Sequence, residues 1–146
     1  MFAKIRFPAI ALIAVIGLAD ALFLTIKHLN GEAVKCTVTS GCDEVLASPY
    51  AIIAGIPLPY LGLAAYAMVF SLAILASYGY GFASRVLPPI IGVMFVMTCW
   101  LLYVQAVILD HFCQYCLISA AVTVLLSILA LSSLVSGGLG GKTKSV

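Results

Sequence analysis

The chain has 146 residues, of which 64% are apolar and 8% charged, and its mean hydropathy is +1.24. About a quarter of the residues of a soluble domain are charged, so the composition excludes that class and points to a membrane protein. A net charge of only +2, with the lysines and arginines dispersed, gives no footprint for nucleic acid.

A spanning helix needs about 20 apolar residues, and the chain divides into four such runs: about 8–29, 58–78, 86–109 and 113–135. The reading is an all-α membrane protein with four transmembrane helices, forming a single integral membrane domain over residues 1–146. Lys4 and Arg6 followed by an apolar run, with Ala19-Asp20-Ala21 as a small-residue site, also fit a signal peptide. A retained helix is preferred, because apolar residues continue through Leu22, Phe23, Leu24 and Ile26, whereas a signal core is about 7–15 residues. Asp20 then lies inside a span, where an acid is costly. It is a candidate functional residue, or else a carboxyl hydrogen-bonded between helices.

Residues 30–57 form the one long polar loop and contain Cys36 and Cys42. Ser40-Gly41-Cys42-Asp43 has the form of a capping box, and Val45, Leu46 and Ala47 suit a short helix that Ser48-Pro49 ends. Tyr50 to Ala54 is apolar but too short to span, so it is expected to lie over the bundle as a lid. Pro57 and Pro59 suit the entry to the second helix, Gly79-Tyr80-Gly81 its end, and Pro88-Pro89 the start of the third. Gly137-Gly138 closes the fourth, leaving a tail over 136–146. Cys99, about ten residues inside the third helix from its connector end, reads as a packing residue.

The connector Asp110-His111-Phe112 leads into Cys113-Gln114-Tyr115-Cys116 at the start of the fourth helix. Two sulfurs three residues apart at a helix start share one face, and the helix dipole favours the thiolate that carries out disulfide exchange. A structural disulfide and half of a zinc site are the alternatives, and the second is disfavoured because no further ligand pair with zinc spacing follows. Lys4, Arg6, Arg85, Lys142 and Lys144 fall on one side of the four-span topology, and Lys27 and Lys35 on the other. Five against two places the termini in the cytoplasm and the loop and connector cysteines outside, where thiol pairs are expected to oxidise. Four cysteines permit two pairs, Cys36 with Cys42 and Cys113 with Cys116, although spacing alone does not set connectivity.

Together, Cys36-x5-Cys42, Ser48-Pro49-Tyr50-Ala51, Gly55-Ile56-Pro57-Leu58, Gly62, Tyr66 and Phe112-Cys113-x-x-Cys116 resemble the vitamin K epoxide reductase family, specifically its bacterial and archaeal members. The resemblance extends from Gly17 to Ser119 and includes Leu24-Thr25 and His28. It implies a four-helix membrane bundle capped by the loop and its short helix, with catalytic Cys36, Cys42, Cys113 and Cys116. The resemblance further implies a quinone of the menaquinone or ubiquinone type beside the C-x-x-C, and disulfide formation in a thioredoxin-like extracytoplasmic partner. That partner is expected to be a separate protein, because the sequence ends soon after the fourth helix. Ala120 stands where vertebrate members carry a tyrosine, which argues against vitamin K epoxide as the substrate.

In the expected relay, a partner thiolate attacks Cys36, Cys42 attacks Cys113, and Cys116 passes electrons to the quinone. The candidate quinone-binding residues are Leu46, Ser48 and Tyr50 from the lid, Leu58 and Leu61 from the second helix, and Phe112 and Ala120 near the C-x-x-C. Tyr50 is expected either to offer its hydroxyl to a quinone oxygen or to anchor the membrane interface. No metal or flavin motif is present. Two non-redox readings are a disulfide-stapled membrane scaffold or partner-binding subunit, and a four-thiolate metal site that the C-x5-C spacing fits poorly.

Overall fold

The computed structural model describes residues 2–139, and side chains over 5–136. Among the described residues, four long helices are apolar and long enough to cross a membrane: α1 (Phe2–Leu29), α3 (Leu58–Ser77), α4 (Gly81–Tyr103, continued by a wider π turn, Val104–Leu109) and α5 (Gln114–Leu139). Between α1 and α3 lie a short helix, α2 (Cys42–Ala47), a 3-10 turn (Pro49–Ala51) and a two-residue antiparallel pair, β1 (Ile52–Ile53) and β2 (Ile56–Pro57). Helices dominate because a backbone in hydrocarbon must satisfy its own hydrogen bonds, and a helix does so within one segment.

Packing neighbours run α1–α3–α4–α5 and back to α1, which closes a four-membered ring. Small residues on α1 let α3 approach closely: Ala14 and Ala21 are buried against Tyr66, Val69 and Ala73. Gly17 belongs to this stripe, and a Cβ there would overlap the Tyr66 ring. Such stripes suit lipid, where helices associate by close packing rather than by escape from water. The outer faces carry large exposed apolar residues such as Leu12, Ile16, Val96 and Leu131, as lipid contact requires.

Several boundaries differ from the sequence reading. α1 starts at Phe2, so Pro8 lies inside it. α4 starts at Gly81, which leaves only residues 78–80 as the connection, puts Arg85 in the first turns and places Pro88 and Pro89 within the helix. Gly79, at φ +94°, makes this tight reversal, because the left-handed region is costly for a side chain. α5 continues through Gly137 and Gly138 to Leu139. Glycine costs a helix about 1 kcal/mol per residue, less than unsatisfied backbone groups cost in an apolar medium. Lys142 and Lys144 lie outside the described residues.

The capping box does not form. The residue before α2 is Gly41 and no side chain caps the helix, because Asp43 already sits in the first turn and Ser40 lies outside it. The helix does stop at Ala47, where Ser48 turns extended with ψ 154°. The lid is a hairpin rather than an irregular segment, with Ile52 opposite Pro57 and Ile53 opposite Ile56. Its two turn residues, Ala54 (φ 53°) and Gly55 (φ 82°), both have positive φ, which matches the twist of the tight turns that join paired strands.

Candidate functional site

Both cysteine pairs gather at one end of the bundle. Cys36 and Cys42 form a disulfide with Cα atoms 5.7 Å apart, while Cys113 and Cys116 are free thiols. Cys42 and Cys113 are almost fully buried in one cluster with Leu24, Val34 and Val45, against which Cys36 and Cys116 pack. The cluster forms because Val34 and the face of α2 lay their apolar side chains on the end of α1. That seats the loop disulfide over the C-x-x-C.

Cys113 is the residue just before α5, not a member of its first turn. Its carbonyl accepts the Leu117 N–H at 3.0 Å, and Cys116 lies within the first turn. A hydrogen bond from the Cys116 thiol, opposed by burial and helped by the backbone N–H groups of Cys116 and Tyr115, brings the Cys113 thiol down from the ordinary 9 to about 7. Unpaired N–H groups at a helix start stabilise a thiolate. The site therefore places a thiol of lowered pKa beside a half-buried disulfide, an arrangement suited to thiol–disulfide exchange.

Gln105 explains how the connector is held. It is 2% exposed, lies in the π turn, and its Oε1 accepts the Cys113 N–H at 3.1 Å. Its own carbonyl accepts the N–H groups of Asp110 and His111. Asp110 takes a left-handed conformation, φ 51°, to make the turn into α5. Wider turns of this kind frequently occur at functional sites. Nothing in the local pattern announces this one, since Gln105 reads as an isolated polar residue in an apolar run.

Below the lid, an apolar cavity of about 350 Å³ lies among α1, α3, α4 and α5, within the usual range of small-molecule sites. Leu46, Leu58, Leu61 and Ala120 line it, as does Cys116. Ser48 and Tyr50 do not; they border a small adjoining crevice that also reaches Leu46, Gln105 and Cys116. The Ser48 hydroxyl is spent on the Val45 carbonyl at 2.7 Å. Phe112 lines neither space and is 42% exposed, because the connector turns its ring outward. Cys99 is exposed on α4.

The cavity wall also holds polar groups not singled out as ligand-binding from sequence. Tyr66 donates to the Ser119 carbonyl at 3.0 Å, and its hydroxyl shares hydrogen bonds with Ser119 Oγ at 2.7 Å and Thr123 Oγ1 at 3.1 Å. Asp20 lines the same wall. The ion pairs among the described residues, Lys27 with Glu32 and His111 with Glu44, lie in the loop region instead. These groups are four turns or fewer from the helix ends in sequence, yet only the crossing of α1, α3 and α5 brings them to one depth.

Fold and site together define a multi-pass helical membrane protein with a two-pair cysteine centre at one end of its bundle. The chain belongs to the vitamin K epoxide reductase family, whose pattern matches residues 8–131. It is also 31% identical over 110 residues to the thiol-disulfide oxidoreductase LTO1 of Arabidopsis thaliana. That match covers 69% of this chain and 29% of the plant protein.

Proposed function

We propose that this protein is a membrane thiol oxidoreductase that takes electrons from a thioredoxin-like partner through Cys36 and Cys42 to Cys113 and Cys116, and on to a quinone of the menaquinone or ubiquinone type. The observation that carries the reading is the shared burial of Cys42 and Cys113 in one cluster, with Cys116 opening onto an apolar cavity. A permanently oxidised scaffold would bond all four cysteines. Here Cys36 and Cys42 form a disulfide while Cys113 and Cys116 are free thiols, and the Cys113 thiol is the one brought down in pKa.

The exchanges balance as follows. One partner thiolate attacks Cys36 and frees Cys42 as a thiolate, which attacks Cys113 of an oxidised C-x-x-C and releases Cys116. The partner's second thiol then releases Cys36, which attacks Cys42 and frees Cys113. The loop disulfide is restored, the partner is oxidised and the C-x-x-C is a dithiol. A quinone held in this cavity would supply the two-electron, two-proton acceptor that the reduced C-x-x-C requires. Cys113 and Cys116 would supply the electrons as their disulfide reforms, with the Cys116 sulfur at the cavity wall and hydrogen-bonded to the Cys113 thiolate. Tyr66, Ser119, Thr123 and Asp20 are among the polar groups on that wall, and the apolar lining excludes water.

The termini are assigned to the cytoplasm and the cysteine centre to the outside, on the distribution of Lys and Arg. A membrane-impermeant thiol reagent should then label reduced Cys36 in intact cells, and labelling only after permeabilisation would reverse the orientation. The test of function is quinone reduction by the purified protein in detergent with a reduced thioredoxin-like substrate. Quinol formation that depends on Cys36 and Cys116 supports the reading, and thiols that never cycle would return the protein to the scaffold class.

A further inference from the structure

The loop disulfide is gripped on both flanks. Gln114, the residue between Cys113 and Tyr115, turns its side chain back over the loop. Its Oε1 accepts the Thr37 N–H at 3.0 Å, the Val38 N–H at 2.9 Å and the Thr37 hydroxyl at 3.2 Å. On the other flank Gly41 lies so close to the connector that a Cβ there would come within 2.7 Å of the His111 Cβ. Glu44, in the first turn of α2, pairs with His111 Nε2 at 2.6 Å.

The two flanks serve different cysteines. Gly41 and Glu44 adjoin Cys42, whereas Gln114 holds the two residues that directly follow Cys36. Once a partner thiolate has bonded to Cys36, the covalent tie between Cys36 and Cys42 is gone, and pull from the partner falls on residues 36–38. We propose that Gln114 is a positioning residue of the relay, a latch that anchors Thr37 and Val38 so that the freed Cys42 stays opposite Cys113. A three-donor contact to the single Gln114 Oε1 acceptor, from inside the C-x-x-C, ties the loop to the thiol that Cys42 must reach, which raises its effective concentration there. The inference rests on the relay proposed above.

The experiment isolates that one step, with neither partner nor quinone. In the full chain carrying Cys36→Ala, Cys99→Ala and Cys116→Ala, only Cys42 and Cys113 remain, and their disulfide is titrated against a glutathione redox buffer in detergent. Adding Gln114→Ala should lower the effective concentration of the pair about tenfold, roughly one net hydrogen bond. Gln114→Glu keeps the acceptor oxygens and should stay within about threefold of the parent. Equal values for Gln114→Ala and the parent would overturn the latch, as would an equal loss in Gln114→Glu. Absence of any Cys42–Cys113 disulfide in the parent would overturn the relay itself, and the latch with it.

Discussion

Replacing Cys116 tests the origin of the reactive thiol. The hydrogen bond from Cys116 is the largest influence bringing Cys113 to about 7, and burial pushes the other way. In Cys116→Ala the donor is lost while burial stays, so the Cys113 thiol should return to about 9 or above. A depressed thiol pKa means the thiolate is present above it and lost as pH falls through it. At pH 7 the thiolate fraction would therefore fall from about half to about one hundredth, roughly fiftyfold. A thiolate of higher pKa is intrinsically more nucleophilic, by about tenfold over two pKa units, so the net loss in exchange rate should be about fivefold. The assay follows thiolate ultraviolet absorbance against pH with Cys99→Ala in the background and the loop disulfide intact. Cys116→Ser retains a donor and should keep most of the depression. A Cys113 midpoint that stays near 7 in Cys116→Ala would refute the argument and assign the shift to the backbone N–H groups of the helix start.

Five further variants have expected outcomes. Cys42→Ala should trap a thioredoxin-like partner on Cys36 as a mixed disulfide visible on a non-reducing gel, while Cys99→Ala, which alters an exposed side chain on α4, should leave turnover within about twofold because it touches neither pair. Tyr66→Phe removes a hydroxyl from the cavity wall and should lower the quinone-dependent rate about tenfold without slowing loop-disulfide exchange; Tyr50→Phe, outside the main cavity, should leave both steps alone and identify Tyr50 as an interface anchor. Gly17→Val drives a side chain into the Tyr66 ring and should destabilise the bundle by about 1–3 kcal/mol, read as a lower midpoint of thermal unfolding in detergent.

Composition and spacing determined the class by themselves. A chain this apolar leaves only spanning helices as a way to satisfy its backbone, and four runs of sufficient length are present. The two cysteine pairs were legible because their polar loop and C-x-x-C interrupt that apolar background. Helix ends were less legible: in lipid Gly81, Pro88 and Gly137 do not stop a helix as they would in water, since no solvent satisfies the groups that a break exposes.

The cavity was decided by tertiary structure. Leu46, Leu58, Leu61 and Ala120 reach it while Phe112, one residue from Cys113, turns away, because the direction of a side chain in a connector depends on how the backbone is tethered. Gln105 provides that tether through a wide turn that has no periodic signature. Asp20 stood out as an acid in a span, but its place on the same wall as Tyr66, Ser119 and Thr123 arises from packing three helices whose residues are up to 103 positions apart. Local sequence sets which residues can form a helix and which sulfurs are close neighbours. Only close packing of small residues, Ala14, Gly17 and Ala21 against α3, sets which distant polar groups share one pocket.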